Sequence, residues 1–417
     1  MNPCGDATMS AKYLHRFDNE LWAEIDPIEK KRNLKFDTPS RIKKKIEAKP
    51  KKKKEKEEEK EGKKIRIRNT QFSFTSFLIP LCVTGERKDY QFLYCICALR
   101  NALKILSTTL RKEGFAQLYM VGMKSAVDWE KIKANRTTFS DIITEFLIKS
   151  GSVCMVAANR KELYTKVNNP DAPFIVLLAA TDIQLPSREK LCVGTSWLIF
   201  RRTEQSRNVL FDREVFHCGR RAINAGVLVN GCSTMMTTGF KRIGGIHHFI
   251  FDNRYGDFIL LQEKCFLRSS GTAIFMNEAL FYKFPKEVQS WVLEKKLGEN
   301  EYYSRYTGGW LSDGYRILRS GGLLLSPQDS ERTEGRIKYL SKALPMAFLI
   351  EKAGGKATDG RIAITKLGAK KSPFTKLVFG TVSDVDAFME VIKESSISDQ
   401  DFMSSGTDTD DTSTDFE

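Results

Sequence analysis

No run of about 18 apolar residues occurs in the 417-residue sequence, so no segment reads as a helix spanning a bilayer. The first residues, MNPCGDATMS, carry neither the basic start nor the apolar stretch of a secretory signal, and a soluble, cytoplasmic protein is expected. Nine cysteines include no C-x-x-C pair. An odd number spread along a chain of this length does not read as a disulfide framework, so reduced and mostly buried thiols are expected. Histidine is scarce. Of the four, His15, His217, His247 and His248, only the last two are neighbours, and adjacent residues of a strand point to opposite faces, where they cannot share an ion. A P-loop is also missing.

Charge, in contrast, is plentiful and unevenly placed. The net +15 is concentrated in "RIKKKIEAKPKKKKEKEEEKEGKKIRIR" (41–68), while the end, "SSISDQDFMSSGTDTDDTSTDFE", is acidic and rich in serine and threonine. Neither stretch has the apolar residues to offset its ordering entropy, so residues 1–68 and 394–417 are expected to be disordered tails. Between them, apolar periodicities alternate in kind. Phe92, Leu99, Ala102, Leu103, Ile105, Leu106 and Leu110 predict a long amphipathic helix, with Gly114 as its stop. Ile142, Ile143, Phe146 and Leu147 predict a second. "FIVLLAA" (174–180) and "VGTSWLIF" (193–200) read as buried strands, and "HHFIFD" and "DFILLQ" as a strand pair about Asn253–Gly256. Toward the end, Pro345 suits the first turn of a helix whose buried face is Met346, Leu349, Ile350 and Ala353, and Gly354-Gly355 stop it. "KLVFG" (376–380) predicts a last strand, followed by a helix capped by Ser383 with Asp386. Mixed sheets covered by helices follow from this order, an α/β fold of the α+β mixed-sheet kind.

Several stretches, in order, carry a family resemblance. They are "STTLRKEGFAQLY" (107–119), "RYGDFIL", "MNEA", "YYSRYTGGWLSDGYRILRSGGLLLSP" (302–327) and "LPMAFLIEKAGGKATDG". Together they resemble class I fructose-1,6-bisphosphatase from about Phe72 to Val391. The resemblance implies a layered α-β-α-β-α sugar-phosphatase fold, with an N-terminal domain at 69–243, a C-terminal domain at 244–393, and a dimeric or tetrameric homo-oligomer. It also implies where magnesium ligands should stand. The family's V-S-E-E pair falls on Val156, Ala157, Ala158 and Asn159. Its D-P-L-D-G-S falls on Ala179, Ala180, Thr181, Asp182, Ile183 and Gln184, and its last glutamate ligand on Lys342. Of these positions only Asp182 keeps an acid, a weak metal ligand by itself. A further acidic loop is altered to something near Asp128-Trp129-Glu130-Lys131.

Substrate positions fare better. Asn277, Arg305, Tyr306 and Arg336 stand where the family binds the sugar and its 6-phosphate, whereas Leu280, Ser326 and Trp310 replace residues usual there. The family's AMP site is not recognisable in "VTGERKDYQ". The expectation is therefore a pseudoenzyme that binds a phosphosugar, needs no cofactor and has an interaction or regulatory role. Two alternatives stay open: an active magnesium-dependent 1-phosphatase of carbohydrate metabolism and gluconeogenesis, and a scaffold held on polyanions by the basic N-terminal run, with the body serving only for assembly. A separate reading of Arg305, Tyr306 and Arg336 is that they merely hold an interface.

Lysines that alternate with a glutamate block predict weak polyanion binding by residues 41–68, without sequence readout. Binding to RNA or anionic vesicles should fall steeply with salt and disappear when residues 1–68 are deleted. Salt-insensitive binding by the truncated chain would refute this.

Overall fold

The computed structural model describes residues 72–83, 89–119, 139–159, 163–167, 169–181, 193–203, 214–215, 217–298, 302–368 and 372–392. The first layer is helical: α1 (Phe74–Val83), α2 (Tyr90–Tyr119) and α3 (residues 139–149). They cover one face of an eight-stranded sheet made of β1 (Val153–Asn159), β2 (Leu163–Val167), β3 (Phe174–Ala179), β4 (Val193–Arg201), β5 (Ala222–Asn230), β6 (Thr234–Phe240), β7 (Ile246–Asp252) and β8 (Asp257–Cys265). The strand order is β2-β1-β3-β4-β5-β6-β7-β8, antiparallel except between β1 and β3. A short helix α4 (Cys218–Arg221) precedes β5.

Period-two alternation divides this sheet between two cores. On β3 and β4, Phe174, Val176, Leu178, Trp197 and Ile199 pack under α1–α3, while Ile175, Leu177, Leu198 and Phe200 face the opposite way. Both faces are covered, which explains why "FIVLLAA" and "VGTSWLIF" show no polar alternation. The second core holds two helices, α6 (Trp310–Ser320) and α7 (Leu344–Lys352), and beneath them a five-stranded sheet. That sheet has the order β10-β9-β11-β15-β13, from β9 (Ala273–Phe275), β10 (Tyr303–Arg305), β11 (Leu323–Ser326), β13 (Lys356–Thr358) and β15 (Leu377–Gly380). A two-stranded ribbon joins β12 (Ile337–Lys338) to β14 (Phe374–Thr375). On the far face of the five-stranded sheet, α5 (Lys286–Leu297) and α8 (residues 382–392) bury Val288, Trp291, Val385 and Phe388 against Ile274, Leu323, Leu325 and Val378. The layering is α-β-α-β-α, as expected.

The E-K-A-G-G motif that ends α7 has a structural purpose at four of its residues. Glu351 accepts the Thr365 hydroxyl at 2.8 and 2.9 Å, and Lys352 donates to the carbonyls of Lys241 and Ile243 at 2.8 and 3.2 Å, tying α7 to the β6–β7 turn. Gly354 takes φ +83°, the left-handed end of the helix. At Gly355 a Cβ would stand 2.4 Å from the Gly380 carbonyl, so only glycine lets the turn touch β15.

Two expectations are corrected. Gly114 does not end α2, which continues to Tyr119; a helical glycine costs about 1 kcal/mol against alanine but ends a helix only when the chain turns left-handed there. Ser383 does not cap α8. Its hydroxyl instead donates to the Ser269 carbonyl at 2.7 Å, and the helix begins two residues earlier. Val385 N–H returns to Thr381 O at 3.1 Å, and the Thr381 hydroxyl donates to Asp384. Asp384 also accepts from Gly271 N–H at 3.2 Å and Tyr302 hydroxyl at 2.9 Å, and Asp386 pairs with Lys356.

His247 and His248 lie on opposite faces of β7, as the spacing predicts. His247 packs on Phe77 and Phe240, and His248 on Tyr315 with its Nδ1 2.7 Å from the Thr237 hydroxyl. Burial pushes both imidazoles down to about 4, with Lys264 adding to the effect at His247 and Arg319 at His248. Between pH 6.5 and 4 the unfolded chain therefore binds more protons than the folded one, and stability falls with acidification. Each histidine should remove about 3 kcal/mol across that window. Denaturant unfolding at stepped pH should show the decline, and His247→Leu should roughly halve its slope; an unchanged slope would show that other groups dominate.

Candidate functional site

The site begins with a missing hydrogen. Pro345, the second residue of α7, has no N–H, so the Ser341 carbonyl one turn earlier cannot receive its helical bond. The chain widens there into a single π-turn, Tyr339–Ala343, closed by Leu344 N–H to Tyr339 O. Ser341 finds its donor on another layer: the Ser196 hydroxyl of β4 donates to it at 2.7 Å, fully buried. The π-turn thus packs against β1, β3 and β4. Single π-turns of this kind recur at functional sites.

This placement brings several of the sequence-derived positions together. Ala179 ends β3, opposite Ser196 on β4, and Ala158 on β1 lies beside Leu178. Both alanines are buried. Lys342, half-buried, is carried by the π-turn that packs on these strands. Lys338 precedes the same turn, its ammonium pulled below the ordinary lysine range by burial. Methyl groups and ammonium groups are not magnesium ligands, which are carboxylate, carbonyl or water oxygens. Among the described residues no cluster of three or more His, Cys, Asp or Glu could hold a metal. The donor set at Ala158, Ala179 and Lys342 does not fit a magnesium cluster. Asp182, the Asn159 side chain and the 128–131 loop lie outside the described residues.

The sugar-side positions gather at the end of the second sheet. Asn277 caps a 3₁₀ turn, Glu278–Lys283, accepting from Ala279 N–H at 3.1 Å. Register places Phe275 of β9 beside Arg305 of β10, and Met276 N–H donates to Arg305 O at 3.2 Å, so Asn277, Arg305 and Tyr306 are neighbours. Arg305 is exposed, its guanidinium 5.9 Å from the Tyr303 ring centre. Burial and the nearby Asp313 carboxylate raise the Tyr306 phenol above its ordinary value. Trp310 is buried, its ring centre 6.1 Å from that of Phe379, and its indole N–H has no hydrogen-bond partner. Leu280 and Ser326, the other replaced positions, are both half-buried.

Arg336 is differently engaged. Its Nε and Nη2 meet Asp329 at 2.7 and 3.0 Å, and Nη2 also meets Glu331 at 2.8 Å. The Asp329 side chain is 0% exposed and additionally accepts from Glu331 and Arg332 N–H at 3.0 and 3.1 Å. These four bonds hold its carboxyl well below the ordinary aspartate range. Sequence reasoning placed Arg336 among the sugar and 6-phosphate positions and did not find this clamp. The signal was present in acids seven and five residues before the arginine, within reach if the loop turns back. Elsewhere, a cavity of about 70 Å³ lies between α1–α2 and the sheet, lined by Asp89, Arg201, Lys241 and Arg242 among others, with Asp89 paired to Arg201. Most of "VTGERKDYQ" lies outside the described residues.

Comparison with known proteins agrees with this architecture. Residues 77–263 match the family model for the fructose-1-6-bisphosphatase N-terminal domain, and residues 267–393 match that for its C-terminal domain. Fructose-1,6-bisphosphatase 1 of Bos taurus is 26% identical over 320 residues, covering 75% of this chain and 91% of the relative. The class 1 enzyme of Synechococcus elongatus is 30% identical over 272 residues, 64% of this chain and 78% of the relative. The apo crystal structure of Leishmania major fructose-1,6-bisphosphatase superposes with a TM-score of 0.67 at 21% identity, covering 78% of this chain and 100% of that one.

Removing Asp329 would leave Arg336 half-paired and two loop N–H groups without their acceptor. Asp329→Ala should therefore cost about 2 kcal/mol, below the range for a fully buried pair because Arg336 is partly solvated. Its depressed pKa means that this contribution is present above the ordinary aspartate range and is lost as pH falls through the depressed value. Urea unfolding at pH 7 and pH 3 checks both: a variant as stable as wild type at pH 7 would show the clamp to be unimportant.

Proposed function

We propose that this chain, which belongs to the fructose-1,6-bisphosphatase family, binds a phosphosugar without hydrolysing it. The observation that carries the reading is the placement of Lys342 and two buried alanines, Ala158 and Ala179, at one junction of strand ends and π-turn. The resemblance assigns all three positions to metal-binding carboxylates. Hydrolysis of a phosphomonoester by divalent ions needs oxygen ligands that hold the metals and a bound water made acidic enough to attack. A lysine supplies positive charge at a fixed place. It attracts a phosphate, yet it cannot coordinate water or lower its pKa as a metal does.

Binding has separate support. Arg305 presents an exposed guanidinium beside Asn277 and Tyr306, and a guanidinium fork matches phosphate oxygens. Because the side chains of the edge strand β10, Tyr303 to Arg305, are all exposed, they are open to a second copy of the chain, consistent with a homo-oligomer. No helix among the described residues is long and apolar enough to cross a membrane, and a cytoplasmic role fits the reading.

The competing reading is an active fructose-1,6-bisphosphate 1-phosphatase whose magnesium site is rebuilt from other residues, as the names of its relatives suggest. A two-part experiment separates them. Pure protein should release no phosphate from fructose 1,6-bisphosphate at millimolar magnesium or manganese, while fructose 6-phosphate should raise the melting temperature, since a ligand of the folded state stabilises it. Arg305→Ala should abolish that rise. Turnover near 1 per second, an ordinary enzymatic rate, would establish the competing reading, and equal shifts in both proteins would place the ligand elsewhere.

A further inference from the structure

We propose that Lys283 and Arg336 form the anion site for the ligand's phosphate and that Glu331 occupies it as an internal stand-in, so that a phosphate enters by displacing this carboxylate. The proposal rests on the phosphosugar reading and specifies how its phosphate is received. Glu331 bridges two cations from different elements. One oxygen pairs with the Lys283 ammonium, at the end of the 3₁₀ turn that Asn277 caps. The other lies 2.8 Å from Nη2 of Arg336. Both contacts hold its carboxyl below the ordinary glutamate range.

The Arg336 cation, and the backbone that carries Lys283, are held in place without Glu331. Asp329 grips Arg336 through Nε and Nη2, leaving Nη1 out of these contacts, and the Arg336 side chain stays 27% exposed. Ser330 N–H donates to the Lys283 carbonyl at 2.9 Å, which fastens the loop to the 3₁₀ turn by its backbone. Glu331, in contrast, is the mobile member by chemistry: its side chain is 54% exposed and reaches its partners only through side-chain contacts. Exposed ion pairs are weak, whereas a phosphomonoester brings up to two charges and three acceptor oxygens to the same two cations. The carboxylate therefore lowers apparent affinity by the fraction of time it fills the site, as any competing conformation does. Lysine and arginine otherwise spaced by acids would read as a solvated loop; the bridging geometry is what distinguishes this one.

Titration calorimetry on the full chain with inorganic phosphate, and separately with fructose 6-phosphate, tests the assignment. Glu331→Gln should bind phosphate about three- to ten-fold more tightly than wild type, and Lys283→Ala should bind it more weakly by a similar factor. Melting curves verify that each variant is folded, which Asp329's independent hold on Arg336 leads one to expect of Glu331→Gln. Equal phosphate affinity in wild type and Glu331→Gln overturns the proposal, as does absence of phosphate binding in both. Tighter phosphate binding by Glu331→Gln without any preference for fructose 6-phosphate over phosphate keeps this site and removes the sugar reading. Fructose 6-phosphate binding that Arg305→Ala abolishes and Glu331→Gln leaves unchanged keeps the sugar reading and removes this site.

Discussion

A buried carbonyl must find a donor, and the Ser341 carbonyl cannot find one in its own helix because Pro345 offers no N–H. The Ser196 hydroxyl, from the middle of the eight-stranded sheet, fills that need. One bond therefore fastens the entrance of α7 to β4 and delivers whatever side chain stands at position 342 to the ends of β1 and β3. The delivery does not depend on the charge delivered. Scaffold and chemistry can consequently change independently here, which is the general reason a fold does not imply an activity.

The same separation explains which motif residues persist. Glu351, Lys352, Gly354 and Gly355 each answer to a packing constraint: a hydroxyl to accept, two carbonyls to satisfy, a left-handed turn and a carbonyl 2.4 Å from any added Cβ. Changing any one disturbs how α7 and the turn after it pack, whether or not phosphate is hydrolysed. Such constraints keep "EKAGG" intact whatever residue stands at position 342, which the resemblance assigns to a ligand.

Local pattern and resemblance made the layers legible, and the limits of each are physical. The apolar runs at 174–180 and 193–200 announced fully covered strands because they are too short for a typical helix and rich in branched and aromatic residues. Pro345 announced the start of α7 but not the π-turn before it, since that turn depends on Ser196, 145 residues away. Ser383 reads as a cap because it precedes an acid by three, but Thr381 does so too, and Ser269 decides between them by taking the Ser383 hydroxyl. Arg336 was legible as a cation and illegible as a clamped one, for the bend that returns Asp329 to it is made by Asp329's own bonds to Glu331 and Arg332 N–H. Long-range partners, more than propensity, set what could be read.

On the reading proposed above, the replacements at the would-be metal site are physically coupled. Were the positions of Ala158 and Ala179 acidic in the absence of a metal, two carboxylates would be buried near one another, each driven to protonate by desolvation and by its neighbour. Placing Lys342 there with only one acid removed would pair one carboxylate and leave the other uncompensated. On the proposed reading, alanine at 158 and 179, asparagine at 159 and lysine at 342 leave Asp182 as the one acid of the five positions, a single charge that a cation such as Lys342 would offset.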